Sequence, residues 1–177
     1  MEYQSMEYSG HIEHHVEVHK FHTGVVTGTV ILALVLETFL LVHLRRLDVV
    51  ELPLLVTIYF GLSRRNASAG LLLGMAIGVA QDSLSHTPLG LYGIAKTVVG
   101  FVASSIGARI DVEHPISRFA LTLVFFHLHN VVFVLTKRLV LAQHEPFMTT
   151  KLVFASLVNA GVAVILFPLL DRFRKPS

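Results

Sequence analysis

The residues able to do chemistry in this sequence lie mostly inside apolar runs. Glu37 sits about two thirds along the run at residues 21–44, and Lys96 sits inside the run at 88–108. His127, His129 and Asn130 fall within the run at 117–136. A carboxylate or an amine in such surroundings either pairs with an opposite charge or faces a polar cavity. Glu37 therefore offers two readings, a proton or cation pathway and a buried structural carboxylate, the latter either paired within the bundle or raised to its neutral form by burial. Lys96 has Asp82 as its expected partner, because the runs carrying the two residues form a hairpin. Glu37 and the rim of the membrane are its alternatives. His127 and Asn130 are three apart and share a helix face, which suits hydrogen bonding to a neighbouring helix. A second group of candidates precedes all of these. His11, His14, His15, His19 and His22 crowd the first 22 residues, and His11, His15, His19 and His22 fall at helical spacing. Imidazoles in that pattern, with Glu13 and Glu17 nearby, can take zinc; a solvated tail is the plainer reading.

Apolar helices must position these groups. Of 177 residues, 53% are hydrophobic and only 15% charged, against roughly 25% charged in an average soluble domain. Six runs approach the roughly 20 apolar residues that a spanning helix needs: 21–44, 47–62, 67–84, 88–108, 117–136 and 152–170. The expected fold is an all-α integral membrane protein, a six-transmembrane-helix bundle at 21–177 behind a polar, histidine-rich head at 1–20. The second and third runs are short, so a re-entrant hairpin is the alternative for that pair. The connectors are too short for a separate domain. The sequence contains no cysteine, which excludes disulfides and thiolate chemistry. Its net charge of +2 provides no broad basic face for nucleic acid.

Lysine and arginine in short loops orient a bundle. With the N-terminus in the cytoplasm, that side carries Lys20, Arg64, Arg65, Arg109, Arg118, Arg172, Arg174 and Lys175. The far side carries Arg45, Arg46, Lys137, Arg138 and Lys151. The bias places both termini in the cytoplasm. The polar, acidic start is unlike a cleavable signal peptide, so the first helix is expected to stay in the mature protein.

Small residues recur every fourth position. Gly70, Gly74 and Gly78 line the third run, Gly100, Ser104 and Ala108 the fourth, and Gly24 and Gly28 the first. Such spacing makes a flat groove that a second helix backbone can approach. The groove serves either packing within the bundle or a partner's helix. Between the third and fourth runs reads Gln81-Asp82-Ser83-Leu84-Ser85-His86-Thr87-Pro88-Leu89-Gly90-Leu91. Pro88 suits a first helical turn, with Ser85 or Thr87 as its cap. No phosphate-binding loop, zinc-protease motif or nucleophile elbow is present, so no catalytic residue, cofactor or metal is assigned.

The stretch from Leu52 to Leu62, then Gly70-Leu71-Leu72-Leu73-Gly74-Met75-Ala76-Ile77-Gly78, Gln81-Asp82-Ser83, Pro88-Leu89-Gly90-Leu91, Lys96-Thr97 and Gly100 resembles the MreD family of rod shape-determining membrane proteins. The resemblance is strongest over residues 47–108. It implies a multi-pass protein of the bacterial inner membrane without catalytic activity. Its implied partners are the bitopic protein MreC, the glycosyltransferase RodA with a class B penicillin-binding protein, and, indirectly, MreB. It also implies a fold similar to the substrate-binding subunits of energy-coupling-factor vitamin transporters. A second reading follows from that kinship, a solute-binding transport subunit in which Glu37, Lys96, His127 and Asn130 converge on a cavity. A homodimer built on the glycine face is the third.

Overall fold

A computed structural model describes residues 21–43, 49–85, 87–107 and 114–174. His11, His15 and His19 of the proposed zinc face lie outside the described residues, as do Glu13, His14, Glu17, Lys20, Arg45, Arg46, His86, Ala108, Arg109 and Lys175. Six helices make up the described fold: α1 (Thr23–His43), α2 (Leu52–Arg64), α3 (Ala67–Leu84), α4 (Leu91–Gly107), α5 (Pro115–Leu141) and α6 (Thr150–Asp171). Among the described residues there is no strand. Four helices, α1, α3, α5 and α6, are long and apolar enough to cross a membrane. Their outer faces carry Leu32, Val35, Leu72, Val124, Phe154 and Ile165, all exposed, as suits contact with lipid.

Local signals set most helix ends. Asn66 caps α3 by accepting from Ala69 N–H at 3.1 Å, and Thr149 caps α6 by accepting from Leu152 N–H at 3.1 Å. Pro115 opens α5, where its missing N–H costs nothing.

The short helix α2 is the centre of the bundle. It touches all five others. Every residue from Pro53 to Ser63 is buried, so it is apolar all round and presents no lipid face. With 13 residues it is about 20 Å long, short of the ~30 Å hydrocarbon layer. Its start lies inside the bundle. Asn159 Oδ1 accepts from Glu51 N–H at 2.9 Å, and Asn159 Nδ2 donates to Val49 O at 2.6 Å. Asn159 itself lies about 14 Å along α6 from that helix's first residue. The expected second span at 47–62 is therefore a half-length core helix beginning at Leu52. The third run, by contrast, folds with the bounds its sequence predicts.

The α3–α4 pair has the most extensive contact in the molecule. A Cβ placed on Gly70 would collide with Ser104 and Gly100 O, one on Gly74 with Lys96 O, one on Gly78 with Tyr92 O, and one on Gly100 with Gly70 O. The glycine groove is thus filled by α4 of the same chain. This corrects the reading of Gly70, Gly74, Gly78, Gly100 and Ser104 as a partner face. Lipid offers no hydrophobic drive between helices, so close backbone approach and dispersion hold this pair together. Gly24 and Gly28 differ: a Cβ on either meets nothing within 4 Å.

Candidate functional site

The start of α2 creates a problem that the site's polar groups solve. A helix beginning inside an apolar bundle buries backbone N–H groups that have no intrahelical partner. Pro53 removes one such donor. The Leu52 N–H faces the carboxylate of Glu37, which projects from α1. Asn159 of α6 serves Glu51 N–H and Val49 O, and its Nδ2 also donates to Ala155 O at 2.8 Å. Irregular backbone at membrane depth is tolerated only where protein groups satisfy it.

Charged side chains gather around the same point. Lys96 is fully buried, with its Nζ 4.0 Å from Glu51 Oε2 and 3.4 Å from His129 Nε2. His129 Nδ1 lies 3.5 Å from Glu51 Oε2. The ammonium also sits 4.6 Å from the centre of the Tyr92 ring, a cation–π distance. The Tyr92, His129 and Phe133 rings stack around it, with Tyr92 and Phe133 centroids 4.7 Å apart. On the other side, Gln81 Nε2 of α3 donates to Glu37 Oε1 at 2.7 Å. Glu37 and Gln81 are buried, at 7% and 5% exposure, whereas the Glu51 side chain keeps 20%. Every helix contributes: Glu37 from α1, Glu51 at the head of α2, Gln81 from α3, Tyr92 and Lys96 from α4, His129 from α5 and Asn159 from α6. Among the described residues, no three His, Asp or Glu side chains form a metal-binding group.

Asp82 is not the partner of Lys96. It is buried at the end of α3, where it caps α4. Its Oδ2 accepts from Gly90 N–H at 2.9 Å and Gly93 N–H at 3.1 Å. Its Oδ1 accepts from Tyr92 N–H at 3.0 Å and from the Thr87 hydroxyl at 3.0 Å. The negative charge thus sits at the positive end of the α4 dipole with four donors, the pattern of an anion held at a helix N-terminus. Ser85 and Thr87 were the expected caps. Instead Thr87 supports the true one, and Ser85 Oγ donates back to Gln81 O at 2.7 Å. The helix opens at Leu91, so Pro88 belongs to the turn before it. Gly90 adopts φ +102°, a conformation that glycine supplies at no steric cost. Asp82→Ala leaves three backbone N–H groups and a hydroxyl without their acceptor. At about 1–3 kcal/mol for each stranded donor, thermal unfolding in detergent is expected to fall by several degrees or more. An Asp82→Ala transition temperature equal to wild type would remove the capping role.

The remaining candidates do not join the centre. His127 Nδ1 contacts Leu123 O of its own helix at 2.8 Å. Asn130 is directed outward, donating to Phe147 O of the α5–α6 connection at 2.9 Å. The side chain on this helix that reaches Lys96 is His129. Glu37 and Lys96 meet the polar centre, whereas His127 bonds within α5 and Asn130 to the α5–α6 connection, so the four do not converge through their hydrogen bonds. A cleft of about 420 Å³ lies elsewhere, between α1 and α6 over α2. Gly24, Gly28, Leu32, Val56, Leu166 and Leu170 are among the residues that line it. Glu51, Gln81, His129 and Asn159 were missed as a group. A glutamate two residues before a proline at the head of an apolar run was the available signal for the first, and helix boundaries alone could have aligned the rest.

A second polar cluster stands at the opposite end of α2. Asp171 accepts from Arg118 at 2.6 Å, from Arg174 at 2.7 Å and from the Tyr59 hydroxyl at 2.8 Å. It ties together the ends of α2, α5 and α6 on the side where Arg64, Arg65 and Arg172 also lie.

Comparison with protein families matches residues 19–175 to the rod shape-determining protein MreD. The chain belongs to the MreD family. It is a multi-pass membrane protein of the cell-shape machinery, and the buried polar centre and the Asp82 cap are features of an MreD-family fold. Comparison with curated proteins and with solved structures finds no match, so the expected likeness to energy-coupling-factor subunits has no support.

Proposed function

We propose that this protein is a non-enzymatic component of the bacterial cell-elongation complex in the inner membrane. It binds MreC and supports peptidoglycan synthesis by RodA and its class B penicillin-binding protein, with MreB engaged indirectly. The observation that carries the reading is the family match over nearly the whole chain. The internal chemistry agrees with it: Asp82 and Asn159 are engaged in capping helix ends, and Lys96 in charge pairing. Six helices with an even number of crossings would put both termini on one side, and the lysine and arginine bias makes that side the cytoplasm.

The helix-accepting surface in this reading is the α1–α6 cleft. The MreC span is its occupant. Gly24 and Gly28 are open there, whereas the glycines of α3 and α4 are already covered. A glycine in a helix costs about 1 kcal/mol relative to alanine, and close approach of a second helix recovers it. Tagged protein extracted in mild detergent is expected to carry MreC in fixed ratio. In Gly24→Leu/Gly28→Leu that ratio is expected to fall at least tenfold with the amount of inserted protein unchanged. Undiminished MreC would exclude this face; absence of MreC from the wild-type preparation would overturn the function itself.

A further inference from the structure

We propose that the centre at the head of α2 binds one exchangeable proton, carried by Glu37 and shared with Gln81. The geometry is one proton short of a complete pair. Gln81 Nε2 already donates to Glu37 Oε1 at 2.7 Å. Glu37 Oε2 and Gln81 Oε1 are both buried without a well-aligned hydrogen-bond partner among the described residues, the Leu52 N–H facing the Glu37 carboxylate as the one backbone donor near it. Two buried acceptors have nothing to give each other. A proton on Oε2 turns that oxygen into a donor, and Gln81 Oε1 receives it. The result is the two-bond ring of a carboxylic acid and an amide, with both orphaned atoms satisfied at once.

The charge inventory requires the same proton. Glu37 faces Glu51 and the Leu52 N–H at the head of α2, Gln81 from α3 and Lys96 from α4. His129 from α5 and Tyr92 from α4 complete the surroundings of Lys96. Asp82, the remaining carboxylate nearby, is held by the amides opening α4. Glu51 and Lys96 balance one another. That leaves Glu37 as an uncompensated negative charge in a low-dielectric interior, unless it takes up a proton. With that proton bound, the centre around Glu37, Glu51 and Lys96 is neutral. The binding site is assembled by α1 and α3 and is independent of the elongation-complex reading.

Infrared spectroscopy of the full-length protein in lipid nanodiscs, isotope-labelled in its glutamate carboxyls, tests this directly. The expected result at neutral pH is a protonated-carboxyl stretch in the wild type, lost in Glu37→Gln. Absence of that stretch from the wild type overturns the proposal without any variant, and so does its survival in Glu37→Gln. Should Glu37→Gln fail to insert, Gln81→Leu provides the second reading. Loss of the amide partner is expected to shift the stretch toward that of a free acid, and an unshifted stretch counts against the pair. Disappearance of the stretch on adding sodium at fixed pH would make this a cation site and overturn the proton assignment.

Discussion

In Gly74→Leu, no monodisperse protein is expected in detergent extracts, while Gly24→Leu accumulates as wild type does. The difference lies in what a new side chain meets. At Gly74 even a Cβ strikes the backbone carbonyl of Lys96, and a backbone inside a helix cannot rotate aside. Overpacking that side chains can absorb costs about 1–3 kcal/mol. Here α3 and α4 must separate along their length, and the contacts at Gly70–Gly100 and Gly78–Tyr92 are lost with the one at Gly74. The loss is expected to exceed 3 kcal/mol, and with marginal stability that leaves little folded protein. Gly74→Ala should fail in the same direction, because the collision begins at the first carbon. Size-exclusion profiles and membrane yields of the three variants check it. A folded Gly74→Leu that merely lost MreC would restore the partner-face reading of the glycine groove.

The second large effect is expected at Lys96. Replacing it by methionine keeps the length and removes the charge that faces Glu51 and Glu37. Removing one member of a buried ion pair costs about 3–5 kcal/mol, because the other charge is stranded. Lys96→Met should therefore unfold at much lower temperature than wild type. The companion changes identify the partner. Glu51→Gln in the Lys96→Met background removes the stranded charge and is expected to recover a large part of the loss. Asp82→Asn in the same background should recover nothing, and should lower stability further by weakening the α4 cap. A double-mutant cycle on thermal stability measures both couplings. Recovery with Asp82→Asn and none with Glu51→Gln would reverse the assignment of Lys96.

What could be read from the sequence was the set of apolar runs, and what could not was the depth at which each begins. The run at 67–84 carries its own cap in Asn66 and folds with those bounds. The run at 47–62 gives no such signal, since Glu51 makes no side-chain cap and Pro53 fits equally well inside or outside the membrane. Its helix starts late and deep because Glu37, Asn159 and Leu52 meet across three helices, and spacing along one chain does not encode that meeting. Lys96 and Glu37 were legible as intramembrane charges because any such residue stands out against apolar neighbours. Their surroundings were not legible. Asp82 lies nearer to Lys96 in sequence than Glu51 does, and sequence distance favoured the wrong carboxylate. On α5, three polar residues within four positions point in different directions. Only the helix rotation places His129 inward and Asn130 outward.

The encirclement of α2 has a consequence for how the protein is made. Thirteen residues are too few for the insertion machinery to treat as an independent spanning segment. The surfaces that bury α2 come chiefly from α4 and α3, both synthesised after it, with α1 next and α5 and α6 contributing least. Residues 52–64 therefore cannot reach their final position as they emerge from the ribosome. They must wait at the interface or beside α1 until α4 arrives to fill the α3 groove. Assembly order then differs from chain order, and nascent chains ending before residue 107 should remain open to proteolysis at α2.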